Sequence, residues 1–203
     1  MKKILLSAAL VLAFALSAGA QASIGVGYVG STLKGSDVSS YFNGFSVGAS
    51  YNLKFTEQLG VAPGVYYTRV STQEAKLFPG LPYTGRWSEN FVDIPVHLNA
   101  IFDFGLVDFG VYAGPSFNFD VGDFLTASDG SKSASLNMVD SKYIKMFDLQ
   151  LGVGAMIFIG PVSLRAGYSW GLLDKNGENL GNYKLNRNQF NVGIAYLFDS
   201  FDR

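Results

Sequence analysis

The sequence has 203 residues, a formal net charge of −1 at pH 7 and no cysteine. The near-neutral charge and the lack of a basic patch argue against nucleic-acid binding, and a chain without cysteine forms no disulfides. Hydrophobic residues make up 48% of the chain and aromatic residues 15%, with 24 glycines. This composition favours a β-rich protein with a large apolar surface.

Residues 1–20 have the pattern of a secretory signal peptide. Lys2 and Lys3 supply positive charge, residues 4–16 form an apolar run, and residues 18–20 read Ala-Gly-Ala, a small-residue cleavage site. A second small-residue site lies at 20–22. Because the apolar run is shorter than the ~20 residues of a spanning helix, a permanent anchor is disfavoured. We therefore predict a cleaved signal peptide (1–20) followed by one domain (21–203).

The remaining chain is predicted to form eight strands. In chain order they are 23–30, 43–55, 59–70, 91–102, 107–119, 143–158, 161–172 and 189–198. Successive side chains of a strand point to opposite faces, and in each segment one row is apolar while the other is small or polar. Long and short connections alternate. The pattern predicts an all-β fold, namely an eight-stranded antiparallel up-and-down transmembrane β-barrel.

The apolar rows are predicted to face lipid. They carry no charge between their ends, and aromatic residues gather toward the strand ends as in interfacial girdles. A charge at the lipid midplane costs roughly 2–4 kcal/mol, so the charged rows are expected to face inward. A soluble barrel would show the same alternation and is the main alternative. We predict an outer-membrane protein whose partner is outer-membrane lipid.

The inward rows carry a predicted lumenal polar network. Its members are Lys54, Asp93, His97, Asp108, Asp148 and Arg165. They would form either an ion path with a selectivity constriction or a packed, ion-paired plug. An eight-stranded barrel has room only for side chains, which favours the plug and predicts no wide pore. Pairing around the short turns would place Arg165 opposite Gly154, reaching toward an aspartate, and His97 opposite Tyr112.

His97 is the only histidine and the one candidate for catalysis. Asp93 lies four residues earlier on the same face, but a hydrolytic triad also needs a nucleophile, and no motif nominates a serine. One histidine without cysteine gives no metal site, and no cofactor is expected. We predict a non-enzyme, with a barrel hydrolase using His97 as an alternative.

Two further groups of aromatic residues are candidates for a function. One lies in a predicted loop and the other at the end of the last predicted strand. Phe78, Tyr83 and Trp87 fall in the predicted loop 71–89; they would form a partner-binding surface or pack onto the barrel rim. Tyr196 and Phe198 end the last strand, as expected for the signal that the β-barrel assembly machinery reads. Residues 199–203 follow this signal.

Five segments in order resemble the PorT-family outer-membrane β-barrel proteins of Gram-negative bacteria. They are GFSVGASYNLKFT (44–56), FVDIPV (91–96), VYAGP (111–115), DLQLGVG (148–154) and LRAGYSWGL (164–172). The resemblance implies an eight-stranded barrel and an outer-membrane location. Gly64 departs from it, since the family usually has an acidic residue there. The predicted role is structural, adhesive or accessory. The alternative is a PorT-like component of an envelope protein-secretion machine that acts through an envelope or surface protein partner.

Overall fold

A computed structural model describes residues 21–35, 39–72, 84–128, 133–178 and 184–198. Nine strands occupy these residues: β1 (Gln21–Lys34), β2 (Ser39–Lys54), β3 (Leu59–Thr72), β4 (Thr84–Asp103), β5 (Asp108–Ser128), β6 (Ser133–Asn137), β7 (Phe147–Ile159), β8 (Val162–Gly171) and β9 (Asn186–Leu197). Among them there is no helix long and apolar enough to cross a membrane.

Eight of the strands close into an antiparallel barrel. Each pairs with its neighbour in chain order, β5 pairs with β7, and β1 pairs with β9 to complete the ring. The short strand β6 pairs only with the far end of β5. Closure removes free sheet edges, the condition for crossing a bilayer with strands. The predicted eight-stranded, all-β, up-and-down barrel is confirmed.

The outward face of the barrel is an apolar belt with aromatic margins. Along β9, Val192 and Ile194 are 45% and 47% exposed, while the outward rows of the other strands expose Val, Ile and Leu in the same way. One margin carries Tyr28, Tyr41, Tyr67, Phe147 and Trp170; the other carries Phe55, Phe102, Phe109, Tyr196 and Phe198. Aromatic girdles at both rims of an apolar band are typical of outer-membrane barrels.

The two ends of the barrel differ in their connections. The inner end carries the short connections 55–58, 104–107 and 160–161. At the outer end the structure describes β6 with residues 138–146, and residues 172–178 and 184–185. At the outer end β1, β4 and β5 continue beyond their predicted limits. Strand β4 begins at Thr84 instead of residue 91, and β5 ends at Ser128 instead of residue 119. Residues 143–146, predicted as strand, precede β7.

Two predicted strand pairings are wrong by two residues. Arg165 lies opposite Met156, and Gly154 lies opposite Gly167, because the β7–β8 turn is 160–161. Tyr112 lies opposite Asn99 instead of His97, because the β4–β5 turn is 104–107. A shift of two residues keeps every side chain on its predicted face, since the side-chain period of a strand is two.

Candidate functional site

The barrel interior is filled at three levels, and this closed lumen is the candidate site. The outer cluster consists of Glu89, Asp120, Lys175 and Arg187. The middle tier consists of Tyr66, His97, Tyr112 and Arg165. The inner tier consists of Ile101, Met156, Phe158 and Leu197, which pack with Tyr112 as one buried apolar group. These levels are described below from the outer end inward.

Arg187 is the centre of the outer cluster. Its Nη1 donates to Asp120 Oδ1 at 3.0 Å, and its Nη2 lies 2.9 Å from Glu89 Oε2. Lys175 forms a second ion pair with Asp120. All four side chains have 0% solvent exposure. Each cation therefore has a carboxylate partner, the condition under which buried charges are tolerated.

A register irregularity in β5 aims a third carboxylate, that of Asp123, into the same region. Asp120 lies opposite Phe91 and Gly122 opposite Asn90, so that Val121 is the extra residue of a β-bulge. Regular alternation would turn Asp123 outward. The extra residue turns it inward instead, where it accepts a hydrogen bond from the Trp87 indole N–H and is fully buried.

A small apolar core surrounds the outer cluster and joins barrel to loops. It contains Val29, Leu33, Phe42, Val70, Trp87, Phe91 and Leu125 from the strands, and Met138, Ile144 and Leu185 from the connections. The rings of Phe42 and Trp87 meet edge to face, with centroids 5.1 Å apart. Residues of the connections are thus buried together with strand residues at the outer end of the barrel.

These loop residues belong to a structured cap, which we define as residues 138–145, 172–178 and 184–185. Lys145 N donates to Lys175 O at 2.9 Å, and Lys175 N donates to Leu185 O at 2.8 Å. Gly177 N donates to Tyr143 O at 2.9 Å; a Cβ at Gly177 would lie 2.1 Å from the Lys142 carbonyl oxygen, so this close approach requires glycine. Backbone pairing therefore fixes Lys175 in position.

Asp174 anchors the cap with its side chain. Its Oδ1 accepts the backbone N–H groups of Asn176 and Leu185, both at 2.9 Å. Burial alone would raise the pKa of Asp174, but these hydrogen bonds, together with Lys145 and Lys184, hold it below its usual range. The ionised carboxylate is thus the form that ties the cap together.

The middle tier is built around Arg165. Its Nη1 donates to Tyr66 Oη at 2.9 Å, and its guanidinium lies 5.6 Å from the centre of the Tyr112 ring. The His97 ring stacks on the Tyr112 ring, and the two ring centres are 4.8 Å apart. The expectation that Arg165 reaches an aspartate is wrong for the described residues: its partners are a phenol oxygen, an aromatic face and the Met156 sulfur.

Glycines make room for the tyrosine that crosses the lumen. A Cβ at Gly154 would lie 2.3 Å from Tyr112 Cζ, and a Cβ at Gly167 would lie 2.1 Å from Tyr112 Oη. Real Cβ atoms do not approach other atoms so closely. The two glycines, which lie opposite each other on β7 and β8, therefore provide the space that the Tyr112 side chain occupies.

The six predicted network residues are spread over the length of the lumen. Lys54 and Asp108 lie on the inward rows at the inner end of their strands. Asp93, His97 and Arg165 are central and line one cavity. Asp148 is buried toward the outer end and accepts from Gln150 Nε2 at 3.1 Å. All six stand on the inward rows of their strands but do not form a single cluster, and a lumenal polar network made of them stays a prediction.

The sequence analysis missed the residues of the outer cluster. Glu89 and Asp120 stand in stretches that were predicted to be loops, although they continue the inward rows of Asp93 and Asn118. Arg187 likewise continues the inward row of Gln189. Extending the alternation past the predicted ends would have identified these three. Lys175 lies in a connection without periodicity, so no sequence pattern indicates it.

The aromatic residues singled out in the sequence have different positions. Trp87 is not in a loop: it lies in β4 and is completely buried, which excludes it from an exposed surface. Phe78 and Tyr83 lie outside the described residues. Tyr196 and Phe198 are 49% and 62% exposed and meet edge to face with centroids 5.5 Å apart. Their role in assembly stays a prediction.

The structure pairs His97 with a serine that the sequence did not nominate. Ser116 Oγ lies 3.4 Å from His97 Nε2. Both residues line the central cavity of the lumen. Within the described residues, no group of three or more His, Cys, Asp or Glu side chains is arranged to hold a metal ion.

Comparison with known proteins identifies the family. The model of the outer membrane protein beta-barrel domain matches residues 14–175 of the 203. This chain belongs to that family. It is therefore an integral β-barrel protein of the outer membrane. No curated protein matches the sequence.

Two solved structures share the fold. Ail, the attachment invasion locus protein of Yersinia pestis, was solved with the heparin analogue sucrose octasulfate. It has a TM-score of 0.51 and 17% identity over 88% of this chain and 99% of that one. Neisserial surface protein A (NspA) has a TM-score of 0.51 and 17% identity over 88% and 98%. Identity this low supports the common barrel fold alone.

Proposed function

We propose that this barrel is a non-enzymatic protein of structural, adhesive or accessory role that does not conduct solutes through a wide pore. The observation that carries the proposal is the filled lumen. Arg187 and its carboxylates close the outer end, Tyr112 and Arg165 cross the middle, and an apolar group closes the inner end. Tiers of this kind leave no continuous aqueous path for a solute.

Planar-bilayer recording tests the closed lumen. The protein is refolded from urea into lipid and added to a bilayer, with a porin of known conductance as the positive control. We expect no stable channel steps. Long-lived openings of porin size, at matched protein insertion measured by heat-modifiable gel mobility, would overturn the proposal.

An adhesive or accessory role is supported by the structured cap. Backbone hydrogen bonds and the anchored Asp174 present a defined surface at the outer end of the barrel. The Ail structure contains a sulfated sugar analogue, so sucrose octasulfate is a sensible first probe.

On this chain two cap lysines already face acids, as Lys142 pairs with Glu178 and Lys145 lies near Asp174. We therefore propose a protein partner over a sulfated glycan. Cells displaying the barrel should capture partner-bearing cells, and excess sucrose octasulfate should not prevent it.

The PorT-like alternative assigns function to the inner end. It is supported by the five sequence segments, three of which lie wholly within single strands of the barrel wall. Crosslinkers placed in the connections 55–58 and 104–107 would capture an envelope protein if this alternative holds. Capture only from positions in the cap would favour the adhesive role instead.

Two further features of the proposal concern processing and chemistry. Residues 1–20 are proposed to be a signal peptide, supported by the Lys2-Lys3 charge and the small-residue site. Mass spectrometry of the mature N-terminus tests this: it should begin at Gln21, or at Ser23 if the second site is used. The chain is proposed to lack hydrolase activity because His97 and Ser116 lie in the lumen, in a cavity lined by strand residues. Esterase or peptidase turnover that disappears in His97→Ala would contradict this.

A further inference from the structure

A small cavity remains in the middle of the lumen. Its volume is about 70 Å³. A halide-sized ion and at least one water molecule fit in this space. The lining side chains include Arg165, Asp93, His97, Ser116, Ser169 and Gln189. The lining of the cavity is therefore partly polar.

Arg165 brings a positive charge to this cavity without a carboxylate partner. None of the ion pairs formed by the described residues includes it. Tyr66 and Tyr112, its hydrogen-bond and aromatic partners, are neutral. A guanidinium does not deprotonate in proteins, and an uncompensated charge away from bulk water is costly. An anion in the cavity would remove this cost.

Unpaired donors point to the same conclusion. Arg165 Nε and Gln189 Nε2 are buried and donate no hydrogen bond within the described part of the chain. Both residues line the cavity. The hydroxyl groups of Ser116 and Ser169 line it too. Two N–H donors with nearby hydroxyl groups form a suitable ligand set for a small anion.

Asp93 is the competing negative charge. Its Oδ1 is also buried without a hydrogen-bond partner, and it lines the same cavity. By register it lies beside Tyr66 on β3 and Asn118 on β5. Arg165 donates to Tyr66 and forms no ion pair with Asp93. Asp93 therefore lowers the affinity for an anion without occupying the ligand position itself.

We propose that the central cavity binds a monovalent, halide-sized anion, held by Arg165 with Gln189 and the cavity hydroxyls. The ion is enclosed when the barrel folds. It acts as a structural counter-ion for Arg165, which forms no ion pair with a carboxylate among the described residues. The proposal does not depend on the adhesive or accessory role.

The test is refolding in different salts. The barrel is unfolded in urea and refolded in sodium chloride, sodium bromide or sodium gluconate at equal ionic strength, and its thermal midpoint is read by heat-modifiable gel mobility. Gluconate is the comparison anion because it is bulkier than a halide. We expect the midpoint to rise by about 5 °C in chloride and bromide, as for a ligand well above its dissociation constant.

Three variants locate the effect. Arg165→Met should remove the halide dependence, whereas Lys142→Met, which deletes an exposed cation, should keep it. Asp93→Asn should strengthen it, shifting the half-maximal bromide concentration at least threefold lower. Crystals grown in bromide should show anomalous scattering beside Arg165 Nε.

The contradicting results are equally specific. A halide dependence that persists in Arg165→Met would show that the ion binds elsewhere. No halide dependence in the unchanged protein, together with no anomalous peak at Arg165, would show that Asp93 compensates Arg165 through water. Either result overturns the proposal.

Discussion

Two inward-facing arginines, Arg187 and Arg165, lie in regions of the lumen that differ in character. Arg187 in the outer cluster contacts two carboxylates, at 2.9 Å and 3.0 Å. Arg165 in the middle tier contacts a phenol, an aromatic ring and a sulfur. Both arginines lie on the inward face of a strand. The charge of Arg187 is balanced by carboxylates, whereas the contacts of Arg165 are with uncharged groups.

The difference follows from what each region can supply. The outer cluster draws on β4, β5 and β9 and on Lys175 of the cap, so charges from distant parts of the chain meet there. The middle tier is formed by strand residues alone. There the Tyr112 side chain occupies the space that Gly154 and Gly167 leave. The outer region therefore closes the barrel through ion pairs, while the middle closes it through ring packing.

Removing the arginines one at a time gives the largest expected contrast. Arg187→Met leaves Glu89 buried without its cation and should cost about 3–5 kcal/mol of unfolding free energy. Arg165→Met loses a hydrogen bond to Tyr66 and should cost about 1.5 kcal/mol or less in chloride-free buffer. Urea unfolding in lipid vesicles measures both. Equal losses would mean that the two regions are not different.

The variant Lys175→Met measures how much the cap contributes to the free energy of unfolding. Asp120 keeps Arg187, so the loss should be smaller, about 2–3 kcal/mol, and proteolysis within residues 138–145 should accelerate. The matched control is Lys142→Met, which breaks an ion pair whose side chains are 68% and 77% exposed. That change should cost at most about 1 kcal/mol. A control as damaging as the test variant would refute the idea that Lys175 secures the cap.

Ring packing in the middle tier is tested by glycine substitution. A Cβ at Gly154 would lie 2.3 Å from Tyr112 Cζ and 2.4 Å from the Ala166 carbonyl oxygen. Gly154→Ala should therefore cost about 1–3 kcal/mol. At Gly110 the nearest atom is the flexible Met156 Cε, at 3.2 Å. Gly110→Ala serves as the control and should unfold nearly as the unchanged barrel does.

The smallest effect concerns the pH dependence of the cap. The pKa of Asp174 is lowered in the folded state, so its stabilising effect is complete above the ordinary aspartate pKa of about 3.9 and is lost as the pH falls through the lower folded value. Amide exchange of Asn176 and Leu185 should thus quicken below about pH 4. In Asp174→Asn this step should disappear. Its persistence would assign the step to another acid.

Sequence reasoning succeeded where the side-chain period decides the structure. Eight strands and their inward and outward faces followed from alternation, and a register error of two residues at Arg165 left its face unchanged. It failed where the period is interrupted. The bulge at Val121 reverses the alternation in β5, so the inward orientation of Asp123 has no counterpart in the pattern.

The closure of the outer end was also beyond the reach of pattern reasoning. Glu89 and Asp120 are polar residues in stretches with turn-like composition, which resemble exposed loops. They are buried because cations from β9 and the cap reach them. Trp87 is buried for a related reason, since Asp123 satisfies its indole N–H. Long-range partners of this kind leave no local signal.

Lipid contact with the apolar belt is tested most directly by single cysteines along β9. The chain has no cysteine of its own, so each label reports one position. In vesicles, fluorophores at Val192 and Ile194 should be quenched by lipid-borne nitroxide and protected from iodide. Labels at the inward residues Asn191 and Gly193 should be quenched only weakly by the lipid-borne nitroxide. Quenching of Val192 and Ile194 by iodide, with no effect of the lipid nitroxide, would contradict a membrane-spanning barrel.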